Sequence, residues 1–432
     1  MSLIGEVVVP CFSEGDISRE IAVARADGVR LRPRGGGHCF AGRSSTAGVV
    51  LDLRGMDEIR VDHSGTATIG AGCLLGRVYG ELRAVGRTLP AGCGATVGIA
   101  GLTLGGGIGL LGRLHGLTCD RLVSARVVLA DGEVVECDEH REPDLFWALR
   151  GAGGGQFGVV SSFRFATVPD PLVSRIEITW PADEDLITLL TSWQAWAPDA
   201  PDGITVDLAV ERVPGHNGLQ ARAFGASTLS VAETVTVLQD FLGTGASARL
   251  RVEDPEPYST VKEIHADERR GMPLDPIRLR SEFFEHSIDE QTLGDLLSLT
   301  AESRHAHGRR LAFTAMGGAY NRVAPGATAF AHRRTRFLLE HVGAPDDPWI
   351  DDSWRLAHTA GSGRVYPNFP DPLLENPLAA YHGDNVARLS EVKRRYDPHR
   401  FFDFAQAIPP ATLAGDGQRD HPSSHDRKET PS

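Results

Sequence analysis

The 432-residue chain has no Cys-x-x-Cys pair and no histidine at zinc-ligand spacing around its six cysteines, Cys11, Cys39, Cys73, Cys93, Cys119 and Cys137. That excludes the common structural zinc sites and leaves free thiols as the expectation. Nor is there an unbroken apolar run of about 18 residues, the length that reads as a membrane span. The start carries Glu6, Glu14 and Asp16 where a secretory signal needs a cationic head and an apolar stretch, so a cytoplasmic protein is expected. Positive charge is also short: 44 Lys and Arg stand against 57 Asp and Glu, a net charge of −13. Affinity for a phosphate backbone needs clustered Lys and Arg, so nucleic acid is not an expected partner.

Glycine is abundant, at 49 residues, and crowds into the chain before residue 160. Such a chain turns tightly there or approaches a ligand closely. With 41% apolar and 23% charged residues, the composition is that of a globular protein with room for two or three domains.

Periodicity places a strand at Glu6 to Val9, then a helix entered through Asp16, with Ile17, Ile21 and Ala24 on one face and Gly28 past its end. Short strands follow at Val29 to Arg32, Val49 to Leu53, Ile59 to Val61 and Thr66 to Ile69, then a helix facing inward through Leu75, Val78, Leu82 and Val85. The fold class read from this is α+β. Val168-Pro169-Asp170-Pro171 reads as a linker, since closely spaced prolines disfavour helix and central strand alike. Beyond it, Ile204, Val206, Leu208 and Val210 alternate as a half-buried strand, and Ser230-Val231-Ala232-Glu233 and Ser287-Ile288-Asp289-Glu290 read as capping boxes. The expected organisation is residues 1–171 plus 376–410 as one domain, 172–375 as an inserted antiparallel-sheet domain that presents a pocket, and a disordered tail over 411–432.

Three glycine-rich segments carry the chemistry: Arg34 to Gly42, Ala91 to Gly109 and Arg150 to Gly158. Any one could be a tight turn, but three in one domain suit convergent N–H groups around a phosphate-bearing ligand. No Gly-x-Gly-x-x-Gly stands in a strand-turn-helix setting and no Gly-x-x-x-x-Gly-Lys-Ser/Thr occurs, so a dinucleotide site of another architecture fits better. His38, at the end of the first glycine turn, reads either as a local turn histidine or as a ligand-facing one.

These segments resemble the FAD-linked oxidases of the berberine-bridge-enzyme-like group, within the vanillyl-alcohol-oxidase (PCMH) type of flavoprotein. The resemblance rests on Arg34, Gly36, Gly37 and His38 as an R-x-G-G-H turn, and on Thr96, Val97, Gly98, Gly101, Gly105, Gly106 and Gly107 as a T-V-G-x-x-G-x-x-x-G-G-G loop. Asp144 to Gly151 with Gly153 to Val160, and Tyr381, Gly383, Asn385, Gln406 and Ile408-Pro409-Pro410, extend it to the closing segment. It implies a PCMH-type FAD-binding domain and FAD bonded through His38 to the flavin 8α-methyl carbon. The FAD contacts it implies are Arg34, Gly35, Gly36, Gly37, His38, Gly42, Thr96, Val97, Gly98, Gly101, Leu102, Gly105, Gly106, Gly158, Val160, Tyr381 and Asn385. Many relatives add a second bond through a cysteine two residues before the threonine; Gly94 stands there and Cys93 is one residue off, so attachment through His38 alone is expected.

The implied activity is oxidation of a small hydroxyl-bearing molecule, a secondary metabolite or sugar, with O2 as acceptor and peroxide as product. Val97, in the position that gates oxygen in relatives, fits an oxidase. An oxidative cyclase is the runner-up, and a flavin-binding protein without turnover the alternative of another class. The family's Y-x-N-Y pocket element is present as Tyr366-Pro367-Asn368-Phe369, which makes Tyr366 the expected catalytic base, provided its pKa falls well below about 10. Tyr320, Glu211 and Glu282 are the alternatives. No oligomeric state is implied.

Overall fold

The computed structural model describes residues 6–181, 184–243, 247–268, 277–302 and 307–412; the expected tail lies outside them from residue 413 onward. The first strand, Val7–Pro10, pairs in parallel with Val49–Asp52, which pairs in parallel with Leu31–Arg34. A five-stranded antiparallel sheet follows, in the order Ile59–Val61, Thr66–Gly70, Val159–Ala166, Leu122–Val128, Val134–Cys137. Helix Glu14–Asp27 buries Ile17, Ile21 and Ala24 in the core that Leu51, Ile69, Val127 and Phe163 contribute from both sheets. That helix starts earlier than its sequence suggests: Ser13 is the N-cap and Asp16 closes a capping box onto it, while Gly28 ends it in the left-handed region at φ 63°. Val85 lies beyond helix Leu75–Arg83 and is exposed, because the helix stops before its next inward position.

Val168–Pro169 is a two-residue strand paired with Arg87–Thr88, an edge position that tolerates proline. The chain then enters an eight-stranded antiparallel sheet. Its main path runs Arg249–Val252, Leu172–Thr179, Gln220–Ser227, Ile204–Arg212, Arg309–Ala315, Phe337–Gly343, Arg278–Phe284. Strand alternation divides its two faces. Ile204, Val206, Leu208, Phe313 and Leu339 pack with Trp193, Leu238, Leu296 and Trp349 from the helices, whereas Thr205, Asp207, Thr314, Leu338 and Glu340 face a cavity. Ser230 caps its helix through Glu233 as expected, but the next helix is Glu290–Ala301 capped by Asp289, whose carboxylate takes the Thr292 N–H; Ser287 lies outside it. Leu389, Val392, Phe402 and Ile408 return the closing segment to the first core.

One buried cation ties the sheets together. Arg113, 1% exposed, donates to the carbonyls of Pro198 (2.7 Å) and Ile204 (3.1 Å) and to those of Ala200 and Met316. Replacing it by methionine strands those carbonyls without donors, so Arg113→Met is expected to lower the free energy of unfolding in urea by about 3 kcal/mol. A loss below about 0.5 kcal/mol would show that water takes over the role.

Candidate active site

The strand Leu31–Arg34 ends in the turn Gly35-Gly36-Gly37-His38, which meets the loop Thr96-Val97-Gly98 backbone to backbone. A Cβ on Gly36 would lie 2.3 Å from the Gly98 nitrogen, so neither loop could approach with a side chain there. The contact sets His38 Nε2 3.0 Å from the Thr96 hydroxyl. Both loops line a cavity of about 850 Å³ that runs on to the polar face of the eight-stranded sheet.

Of the residues read as cofactor contacts, Gly35, Gly36, Gly37, His38, Thr96, Val97, Gly98, Gly101, Leu102, Gly158 and Val160 line this cavity, as does Tyr366. Six others do not. Arg34 turns away to Ser44 and Ser45 and fixes the ends of its own loop, and Gly42 makes a turn with Cys39. The Gly105–Gly107 triplet seats the pocket element: a Cβ on Gly105 would strike Asn368 at 2.1 Å, one on Gly106 would strike Phe330 at 2.9 Å, and the Gly107 N–H donates to Tyr366. Tyr381 is occupied with Asp371 and Gln406, and Asn385 pegs the carbonyls of Pro325, Thr328 and Ala329.

Two arginines that the sequence reading passed over stand at the cavity. Arg32 and Arg43 line it, stack over the Phe404 ring at 5.3 and 4.9 Å, and have no carboxylate partner among the described residues. Burial pushes both pKa values down, so an anion in the cavity would be their natural counter-charge. Around them the N–H groups of Gly36, Gly37 and His38 make no hydrogen bond among the described residues, and a Cβ on Gly37 or Gly101 would meet nothing within 4 Å. Guanidinium groups without a carboxylate partner, of which Arg43 donates to Gln406 at 2.8 Å, together with open glycines and N–H donors fit the diphosphate and ring system of FAD.

The condition set for Tyr366 as a base is not met. Its hydroxyl oxygen accepts from Gly107 N (3.1 Å), Ile108 N (3.2 Å) and Asn368 Nδ2 (3.0 Å), but burial outweighs these donors and pushes the phenol up to about 12. Tyr320 is buried likewise and exchanges hydrogen bonds with the Gly109 backbone. Glu282 is fully buried against His358 and the N–H groups of Gly363 and Arg364, and Glu211 pairs with Arg222. The acid that sequence reasoning missed is Asp207. It stands half-buried at the cavity wall and accepts the Ala315 N–H at 3.0 Å; desolvation first, and then the neighbouring Glu340 carboxylate, raise its pKa to about 7. Its signal was there: Asp207 holds the other phase of the Ile204, Val206, Leu208, Val210 alternation.

Two family models match the chain, an FAD binding domain over residues 5–138 and the berberine and berberine-like segment over 365–409. The uncharacterized FAD-linked oxidoreductase YgaK of Bacillus subtilis is 35% identical over 423 residues, covering 94% of this chain and 91% of its own. The chain belongs to the berberine-bridge-enzyme-like FAD-linked oxidoreductases. The xylooligosaccharide oxidase of Thermothelomyces thermophilus is 30% identical, covering 92% and 86% of the two chains. A solved xylooligosaccharide oxidase from Myceliophthora thermophila, in complex with xylobiose, superposes with a TM-score of 0.85 over 94% of this chain and 93% of its own at 27% identity. The glucooligosaccharide oxidase of Acremonium strictum, whose FAD is described as 6-S-cysteinyl and 8α-N1-histidyl, shares the fold at a TM-score of 0.85 and 23% identity, over 94% of this chain and 93% of its own. This FAD-linked oxidoreductase therefore has the PCMH-type fold.

The raised pKa of Asp207 makes a stability prediction. Its folded value, about 7, lies above the unfolded value of about 4, so folded-state stability is lost as pH rises from about 4 through 7 and stays low above it. Asp207→Asn removes that loss. The variant is expected to gain several degrees in Tm at pH 8 and clearly less at pH 5, measured by thermal melts; an equal change at both pH values contradicts the assignment.

Proposed function

We propose that this oxidoreductase oxidises a hydroxyl-bearing carbon of a saccharide, with residues 1–171 and 376–410 holding FAD and 172–375 holding the substrate. Bound FAD would supply the hydride acceptor and the route of electrons to O2, with hydrogen peroxide as the product. What carries the reading is the polar sheet face: Thr205, Asp207, Arg310, Thr314 and Glu340 line the cavity and offer a polyhydroxylated ring several hydrogen-bond partners. The oligosaccharide-oxidase relatives support the same class.

Attachment of the cofactor is assigned to His38. His38 Nε2 lies 3.0 Å from the Thr96 hydroxyl, and in the tautomer whose Nε2 carries the proton and donates to Thr96 the lone pair of Nδ1 is the nucleophile. Gly94 offers no thiol, and the Cys93 sulfur is engaged by Lys262, which supports a single bond.

Proton management falls to Asp207 and Tyr366. A base with a pKa near neutrality both holds its proton site open and accepts readily, and Asp207 at about 7 meets that requirement. It takes the substrate hydroxyl proton. Tyr366, a phenol at neutral pH, has its oxygen fixed by three N–H donors, and its own hydrogen has no acceptor among the described residues. That hydrogen is available to orient a substrate oxygen.

The reading is tested by peroxide release from a panel of mono- and oligosaccharides, followed by anaerobic flavin reduction with the best of them. The reduction rate is expected to climb with pH through about 7. In Asp207→Asn the rate is expected to fall by about 10²-fold or more and the inflection to vanish. No turnover of any saccharide removes the substrate class; reduction of Asp207→Asn at the wild-type rate removes the base.

A further inference from the structure

Lysine occurs three times in the chain, at 262, 393 and 428. Lys262 and Lys393 are both buried. Lys393 has what a buried ammonium needs, a carboxylate: its Nζ is 2.6 Å from Asp397. Lys262, on helix Tyr258–Glu268, has no carboxylate in ion-pair range among the described residues. Its Nζ donates instead to Cys93 Sγ at 3.1 Å, with the carbonyls of Gly92 at 3.1 Å and Ala91 at 3.3 Å and the rings of Tyr258 and Tyr79 at 5.0 and 5.3 Å. Burial works against the charged amine, but Cys93 and Tyr79 more than offset it and its pKa is raised.

No other cysteine touches a side-chain amine among the described residues. Burial holds the Cys11, Cys73 and Cys137 thiols up at about 11, 12 and 12, and Cys119 higher still. Cys93 is also open on one side, since it lines the cavity. A sulfur in contact with an amine and reached from a cavity that admits small molecules is placed for oxidative coupling.

We propose that Cys93 and Lys262 form a reversible covalent bridge through a single oxygen atom, Sγ–O–Nζ, with dioxygen as the oxidant. The thiol and amine bring three exchangeable hydrogens between them. One S–H bond, one N–H bond and the O–O bond break, and an S–O and an O–N bond form. One oxygen atom stays in the bridge, and the other leaves as water with two of the hydrogens. Sulfur and nitrogen give up two electrons each, which together reduce the dioxygen. The third hydrogen remains on nitrogen.

The bridge joins positions 169 residues apart and fastens helix Tyr258–Glu268 to the glycine loop that lines the cavity. Closing so long a loop restricts the unfolded chain, so the oxidised protein melts higher. It also withdraws the Cys93 sulfur from any reaction with a bound flavin.

The test is peptide mass spectrometry of the full-length wild-type protein held in oxygenated buffer and digested with trypsin without reductant. The proposal expects a species joining the Cys93 and Lys262 peptides, heavier than their sum by one oxygen and lighter by two hydrogens, uncleaved after Lys262. Dithiothreitol should abolish it and lower Tm, and Cys93→Ser and Lys262→Met should each lose it. Recovery of Cys93 as a free thiol, a sulfinic acid or a flavin adduct with normal cleavage after Lys262 overturns the proposal. So does a joined species that lacks the oxygen.

Discussion

Gly36 and Gly98 are in contact through their backbones, and a Cβ on either would sit within 2.4 Å of the other's nitrogen. Everything at the cofactor end of the cavity depends on that approach. It sets the His38 imidazole on the Thr96 hydroxyl, next to the Gly36 and Gly37 N–H groups, which make no hydrogen bond among the described residues. The same loop continues into helix Ile99–Leu104 and then the Gly105–Gly107 triplet, where Asn368 and Tyr366 are seated. One stretch of chain, from Thr96 to Gly107, therefore contacts His38 at one end and seats Tyr366 at the other.

The substrate side works by the opposite device. A strand whose one face is packed against helices must present its alternate residues elsewhere, and here they face the cavity. Asp207 and Glu340 are carboxylates on that face, and desolvation of Asp207, then repulsion from Glu340, raise the Asp207 pKa to about 7. A half-buried, desolvated acid of this kind opposes folding at neutral pH, and Arg113, packed among carbonyls behind the cavity, is one of the contacts that offset it.

Much of this was legible in the sequence, for identifiable reasons. The α+β class followed from short strands and one-sided helices, and the glycine loops and His38 were found because backbone approach leaves a compositional trace. Where local rules failed, a neighbour decided: Ser13 took the cap from Asp16, and Asp289 took it from Ser287. Six of the residues expected at the cofactor do not line the cavity and make loop contacts instead, and a motif does not distinguish a residue that touches a ligand from one that braces its neighbour. Arg32, in a strand, and Arg43, in a turn, were missed because an arginine in either reads as solvent-facing until its lack of a carboxylate partner is visible. The upward pKa shift of Tyr366 was not legible because the burial that causes it belongs to the tertiary structure alone.

The account stands on a cofactor bonded to the His38 imidazole and to nothing else. Purified protein precipitated in acid, digested and mapped by flavin fluorescence and mass is expected to show flavin on one peptide, the one containing His38. Flavin released entirely into the acid supernatant, or flavin found on the peptide containing Cys93, would contradict it.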